Sequence, residues 1–166
     1  MQPSIASSRA LIATAGLLAA IVVTATAVAC SSDGAVIPKD PTFVATLTGA
    51  GEFPVNTATG TGSAIIVKKN GTYTYTVTYS GMTGPLIGGH IHGPAAAGVN
   101  TVVIVPFNTT GAGPSGTLTG TFTSTNNVNI SSDSLDVLMR TGNAYVNLHT
   151  DLNKGGEIRG QLSQQQ

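Results

Sequence analysis

The chain has 166 residues, a formal net charge of zero and only 8% charged side chains. With Lys and Arg balanced by Asp and Glu, nothing builds the positive field that a nucleic acid or an anionic membrane surface requires, so neither partner is expected. Once the apolar N-terminal segment is set aside, the remainder suits one domain with one core.

Residues 1–29 read as a lipoprotein-type signal peptide. Arg9 is the only charged side chain there, and residues 10–29 form an unbroken apolar or small-residue run that stops at Cys30. Ala27-Val28-Ala29-Cys30 resembles a lipobox, with Ala27 where leucine is usual, which makes Cys30 the expected lipidation site and the membrane the expected partner. An uncleaved membrane anchor is the alternative, and both readings place the rest of the chain outside the cytoplasm, facing the periplasm or the cell exterior. Cys30 is the only cysteine, so the mature chain closes no internal disulfide. Residues 30–41 are polar, with Gly and Pro and no period, and read as a tether.

The domain is expected over residues 42–163. Residues 43–48 and 63–68 are short β-rich runs. Asn70-Gly71 then predicts a type I′ hairpin into residues 72–79, where Tyr73, Tyr75, Val77 and Tyr79 share one face and threonines the other. Residues 101–107, 116–123, 143–149 and 156–162 continue the rhythm, with Pro106 marking an edge strand or a strand end. One segment differs: residues 133–141 predict a short helix capped by Asp133, with Leu135, Leu138 and Met139 on one side and Gly142 at C′. About seven to eight strands and one helix predict an all-β fold, an antiparallel β-sandwich or a Greek-key barrel.

The three histidines fall in two segments, His90-Ile91-His92 and Tyr145-Val146-Asn147-Leu148-His149. On a strand His90 and His92 project from one face, and Tyr145, Asn147 and His149 from another. If the two segments pair, three imidazoles converge, a set that suits copper or zinc. The competing expectation is that Asn147, Tyr145, Thr150 or backbone carbonyls satisfy these rings as structural rivets. Glu157 and Arg159 share a strand face and are expected to form an ion pair, with each other or with a neighbour, worth about 1 kcal/mol at most if exposed. No Gly-x-Ser-x-Gly elbow or Ser-His-Asp order is present, and no catalytic residue is assigned.

Leu47-Thr-Gly, Glu52-Phe-Pro54-Val, Thr59-Gly-Thr-Gly62, Gly89-His-Ile-His-Gly93-Pro94, Tyr145-Val-Asn-Leu-His-Thr150 and Gly155-Gly156-Glu157-Ile-Arg159-Gly160-Gln-Leu162 occur in order. Together they resemble the CHRD domain, named for repeats in chordin and found in bacteria as single exported domains. Asn153-Lys154 departs from the family's usual proline before the glycine pair. The resemblance implies an extracytoplasmic β domain and a structural role for Gly89, Gly93, Pro94, Tyr145, Asn147, Gly156, Glu157, Arg159 and Gly160. Gly-x-His-x-His also looks like part of the copper-zinc superoxide dismutase pattern, whose two-metal site needs more than three histidines. The expected function is a non-enzymatic structural or binding module of the cell envelope; the alternative is an envelope protein binding copper or zinc through His90, His92 and His149.

Overall fold

The computed structural model describes residues 40–123 and 130–166. The signal peptide, Cys30 and most of the tether lie outside the described residues. The domain is all-β: β1 (Thr42–Thr48), a 3-10 turn (Gly49–Gly51), β2 (Thr61–Lys69), β3 (Thr72–Ser80), β4 (Leu86–His92), β5 (Val103–Pro106), β6 (Gly116–Phe122), α1 (Ser132–Arg140), β7 (Tyr145–Thr150), β8 (Ile158–Gln161) and β9 (Ser163–Gln164). The strands form one antiparallel sheet in the order β5-β4-β7-β8-β1-β2-β3-β6, with β9 on β1. This sheet curls into a nearly closed barrel. Its two free edges, β5 and β6, approach through Tyr75 of β3, whose ring stacks at 4.4 Å on Phe107 just beyond β5 and lies 6.5 Å from Phe122 of β6.

The hairpin at Asn70-Gly71 forms as the dipeptide predicts. Asn70 and Gly71 have φ of 50° and 79°, the left-handed pair that a type I′ turn requires. From there Tyr73, Tyr75, Val77 and Tyr79 all point into the core with Phe43, Leu47, Ile66, Ile91, Val146, Leu148, Ile158 and Leu162. Pro106 ends β5, and β5 is an edge strand, where a missing N–H costs no ladder bond.

The helix corrects one expectation. Its N-cap is Ser131, whose Oγ accepts the Ser134 N–H at 3.2 Å; Asp133 is the second residue of the helix, in the first turn, where its charge faces the positive end of the dipole. Leu135 and Met139 are buried in the core, and Gly142 follows the last turn with φ of 69°. Lys68 Nζ on β2 and the Tyr73 hydroxyl both reach the Asp136 carboxylate at 2.6 Å, fastening the helix to the barrel.

A second correction concerns β7 and β8. Ala144, Val146 and Leu148 face the core as alternation predicts, but Tyr145, Asn147 and Arg159 on the outer face are buried as well. Three segments cover that face: residues 49–60, a strap over residues 93–102, and residues 151–157. The barrel therefore carries a second interior, and this one is polar.

Candidate metal centre

β4 and β7 are neighbours, in a register that sets Gly88 opposite His149, His90 opposite Asn147 and His92 opposite Tyr145. Because Ile91 and Leu148 take the core side, His90, His92 and His149 all emerge on the covered outer face. The convergence foreseen if the two segments paired is realised. Each histidine offers one ring nitrogen, and the three nitrogens lie within 4.8 Å of one another.

Hydrogen bonds to backbone carbonyls set the tautomers. His92 Nδ1 lies 2.9 Å from Thr101 O, and His149 Nδ1 lies 3.0 Å from Lys154 O. A carbonyl only accepts, so each Nδ1 carries the proton and each Nε2 keeps its lone pair. His149 Nε2 accepts from His90 Nδ1 at 3.2 Å. Among the described residues, His92 Nε2 is the one buried side-chain polar atom with no hydrogen-bond partner. Such an atom costs about 1–3 kcal/mol.

The electrostatics keep all three rings neutral at pH 7, the form a metal requires. Burial pushes His90 down from 6.5 to about 4, helped by the neighbouring His149 and His92. His92 and His149 are lowered too, in both cases mainly by burial. The separation of His90 Nδ1 and His149 Nε2, 3.2 Å, also fits once His90 moves its proton to Nε2 and frees Nδ1: two nitrogens about 2.05 Å from a tetrahedral ion stand about 3.3 Å apart. Gly88 leaves the approach open, since a Cβ there would sit 3.1 Å from His90 Cε1 and 3.7 Å from His149 Cδ2.

The histidine shifts fix the sign of a pH effect. Between pH 4 and 6.5 the unfolded chain binds more protons at His90 than the folded domain does. That stability is fully present above pH 6.5 and is lost as pH falls toward 4. Glu52 acts oppositely: burial raises it from 4.5 to about 7 against the lowering influence of Arg159 and Asn147, so its contribution falls as pH rises through that interval. In metal-free protein, Glu52→Gln is expected to be more stable than wild type by about 2 kcal/mol at pH 8 and equal to it near pH 4. Urea denaturation at the two values measures this, and equal midpoints at pH 8 would refute it.

The remaining residues singled out from the sequence build the frame around the histidines. Glu157 and Arg159 do not pair with each other, and neither is exposed, contrary to a surface ion pair. Glu157 is fully buried and accepts hydrogen bonds from Thr83 N at 2.7 Å, Thr83 Oγ1 at 2.5 Å, Asn153 Nδ2 at 3.0 Å and the Thr150 hydroxyl. Arg159 is 1% exposed and donates to Asn100 Oδ1 at 3.0 Å, Ala96 O at 3.3 Å, Val99 O at 3.0 Å and Gln161 Oε1 at 3.1 Å. Asn147 donates to Glu52 Oε1 at 2.5 Å. Gly156, at φ 135°, lies against that pair, and a Cβ there would come within 2.5–2.7 Å of Asn147 Nδ2 and both Glu52 oxygens. At Gly89 a Cβ would meet Leu148 Cδ2 at 2.8 Å, and Gly93-Pro94 begins the strap.

Sequence reasoning missed the Thr101 and Lys154 carbonyls and the Glu52 carboxylate. Carbonyls leave no residue-type signal. Glu52 stood out only within Glu52-Phe-Pro54, far in sequence from Asn147.

None of the curated proteins and none of the solved structures matches the chain. The family model for the CHRD domain matches residues 43–162, well over half of the chain and nearly all of the barrel, from the second residue of β1 to just past the end of β8. With its motifs in order and its matched region spanning the barrel, the chain belongs to the CHRD domain family.

Proposed function

We propose that the chain is an exported, membrane-tethered lipoprotein whose CHRD domain is a non-enzymatic binding module, and that it binds a zinc or copper ion through His90, His92 and His149. Export and anchoring are supported by Arg9, the apolar run after it, Ala27-Val28-Ala29-Cys30 and the polar tether. Mass spectrometry of the mature N-terminus is expected to find a diacylglyceryl Cys30; an intact leader or an unmodified thiol overturns the anchor.

The observation that carries the metal reading is His92 Nε2, a buried lone pair with no partner, in a cluster of ring nitrogens within 4.8 Å. Structural rivets account for the two Nδ1 atoms bonded to carbonyls but leave this atom without a role. Carbonyl partners on the far nitrogens of two rings are what imidazole ligands use to hold their orientation. An all-imidazole set suits zinc and copper, whereas calcium and magnesium select oxygen donors. With three protein ligands a fourth position stays open.

The full chain, purified in detergent, is expected to carry one zinc or copper ion per molecule, lost on chelation and absent from His92→Ala. Metal at 100 times its dissociation constant is expected to add about 2.7 kcal/mol to stability. Substoichiometric metal, unchanged by His92→Ala, would sink the proposal.

A further inference from the structure

Beside the histidines, flat groups stack in a column on the covered face. The His92 and Tyr145 rings are parallel within 2°, with centroids 4.8 Å apart, and the Cζ of Arg159 on β8 lies 3.4 Å from the Tyr145 centroid. Arg159 is a buried permanent cation. Among the described residues the one ion pair is Lys68–Asp136, so Arg159 has no carboxylate in contact. The acid that senses it is Glu52, a neighbour in charge rather than an ion-pair partner.

We propose that Arg159 is the residue that sets the charge preference of the metal site: it positions His92 and, behind a neutral ligand set, disfavours a dication. Relative to the same three imidazoles without it, the site then favours cuprous copper over zinc. This rests on the metal reading of the histidines and adds to it a reason for selectivity.

Two physical routes lead from Arg159 to the site. The first is position. Its bonds to Ala96 O, Val99 O and Asn100 Oδ1 hold the strap, and the next residue, Thr101, supplies the carbonyl that fixes the His92 tautomer. Tyr145 contributes to the same end, because its hydroxyl accepts the Thr101 N–H at 3.4 Å while its ring supports His92.

The second route is charge. Three neutral imidazoles cancel none of the charge of a bound ion, so the guanidinium, about two stacking distances from His92, repels all of it. At that range and an effective dielectric of about 20, the penalty is on the order of tenfold in affinity for each unit of ionic charge. Zinc bears two units and cuprous copper one. Glu52 offsets part of this field when ionised, and its removal should strengthen the preference.

The test uses the full chain in detergent, with dissociation constants for Zn(II) and Cu(I) measured by chelator competition at pH 8. Arg159→Gln is expected to shift the ratio of the two constants toward zinc by about tenfold. Arg159→Lys and Tyr145→Leu keep the charge, so both are expected to weaken both metals, by about 10–100-fold, at a nearly unchanged ratio. Glu52→Gln is expected to move the ratio toward Cu(I), which keeps the charge argument testable if Arg159→Gln does not fold. Nitrogen NMR of His92 is expected to show the Nδ1–H tautomer in wild type and a mixture in Arg159→Lys and Tyr145→Leu. A ratio that does not respond to Arg159→Gln or Glu52→Gln overturns the charge role. Unchanged affinities and an unchanged tautomer in Tyr145→Leu and Arg159→Lys overturn the positioning role. Wild-type protein that takes neither ion is a different result, and it removes the metal reading itself.

Discussion

Gly160→Ala is expected to destabilise the domain by at least about 3 kcal/mol, enough to leave much of it unfolded at 37 °C. Gly160 lies on β8 where that strand passes β1. A Cβ at this position would overlap the Thr46 carbonyl oxygen, stand 2.7 Å from the Thr46 carbonyl carbon and 3.3 Å from Leu47 N. These are backbone atoms, so no rotamer change relieves the overlap, and the strands must part where β8 and β1 join the two halves of the sheet. Gly155→Ala is the control, because a Cβ there meets nothing within 4 Å. It is expected to change stability by less than about 0.5 kcal/mol. Urea unfolding of both variants decides the matter, and equal midpoints would show that β8 can move without cost.

The second large effect is expected at Glu157. Its carboxylate accepts from Thr83 N, Thr83 Oγ1, Asn153 Nδ2 and the Thr150 hydroxyl, and these bonds hold its pKa below the ordinary carboxylate value despite burial. Glu157→Gln keeps the size but turns one acceptor into a donor that faces donors. The expected loss is about 2–4 kcal/mol, since buried groups left unsatisfied cost more than the bonds themselves contribute. The sign in pH follows from the lowered pKa: this stability is present above the unfolded value near 4.5 and is lost as pH falls below it. Wild type should therefore converge on the variant in acid. A thermal midpoint for Glu157→Gln within 1–2 °C of wild type at pH 7 would contradict this account, because about 1 kcal/mol already moves the midpoint of a domain this size by several degrees.

Much of the architecture was legible from local signals. The Tyr73, Tyr75, Val77 and Tyr79 alternation, the Asn70-Gly71 turn and the edge placement of Pro106 each rest on a few neighbouring residues, and all three hold in the structure. The helix was placed within one residue at either end, Ser132–Arg140 against 133–141. Its cap was misassigned because Ser131, Ser132 and Asp133 are all capable caps, and which one serves depends on where Tyr73 and Asp136 fix the helix on the barrel. The strand starts expected at residues 101, 143 and 156 each fall two residues before the observed ones, Val103, Tyr145 and Ile158. Thr101 and Val102 belong to the strap whose carbonyl at Thr101 holds His92, and Asn143 lies in the turn that leads out of the helix.

By itself, the sequence determined the all-β class, the hairpin, the single helix and the side of each strand on which His90, His92 and His149 stand. Those features follow from the period of two along a strand and from turn chemistry, which act over a few residues. The tertiary structure alone decided that β4 and β7, more than fifty residues apart in the chain, lie side by side and bring the three rings together. It also decided that Tyr145, Asn147 and Arg159 are buried on the outer face, where alternation by itself predicts water, and that Glu52 and Glu157, which stand outside the strands, are buried too. The reason is that burial of an outward residue depends on what crosses above it. Here three loops do, and they convert a polar strand face into an interior where hydrogen bonds, charge and a free imidazole nitrogen carry weight.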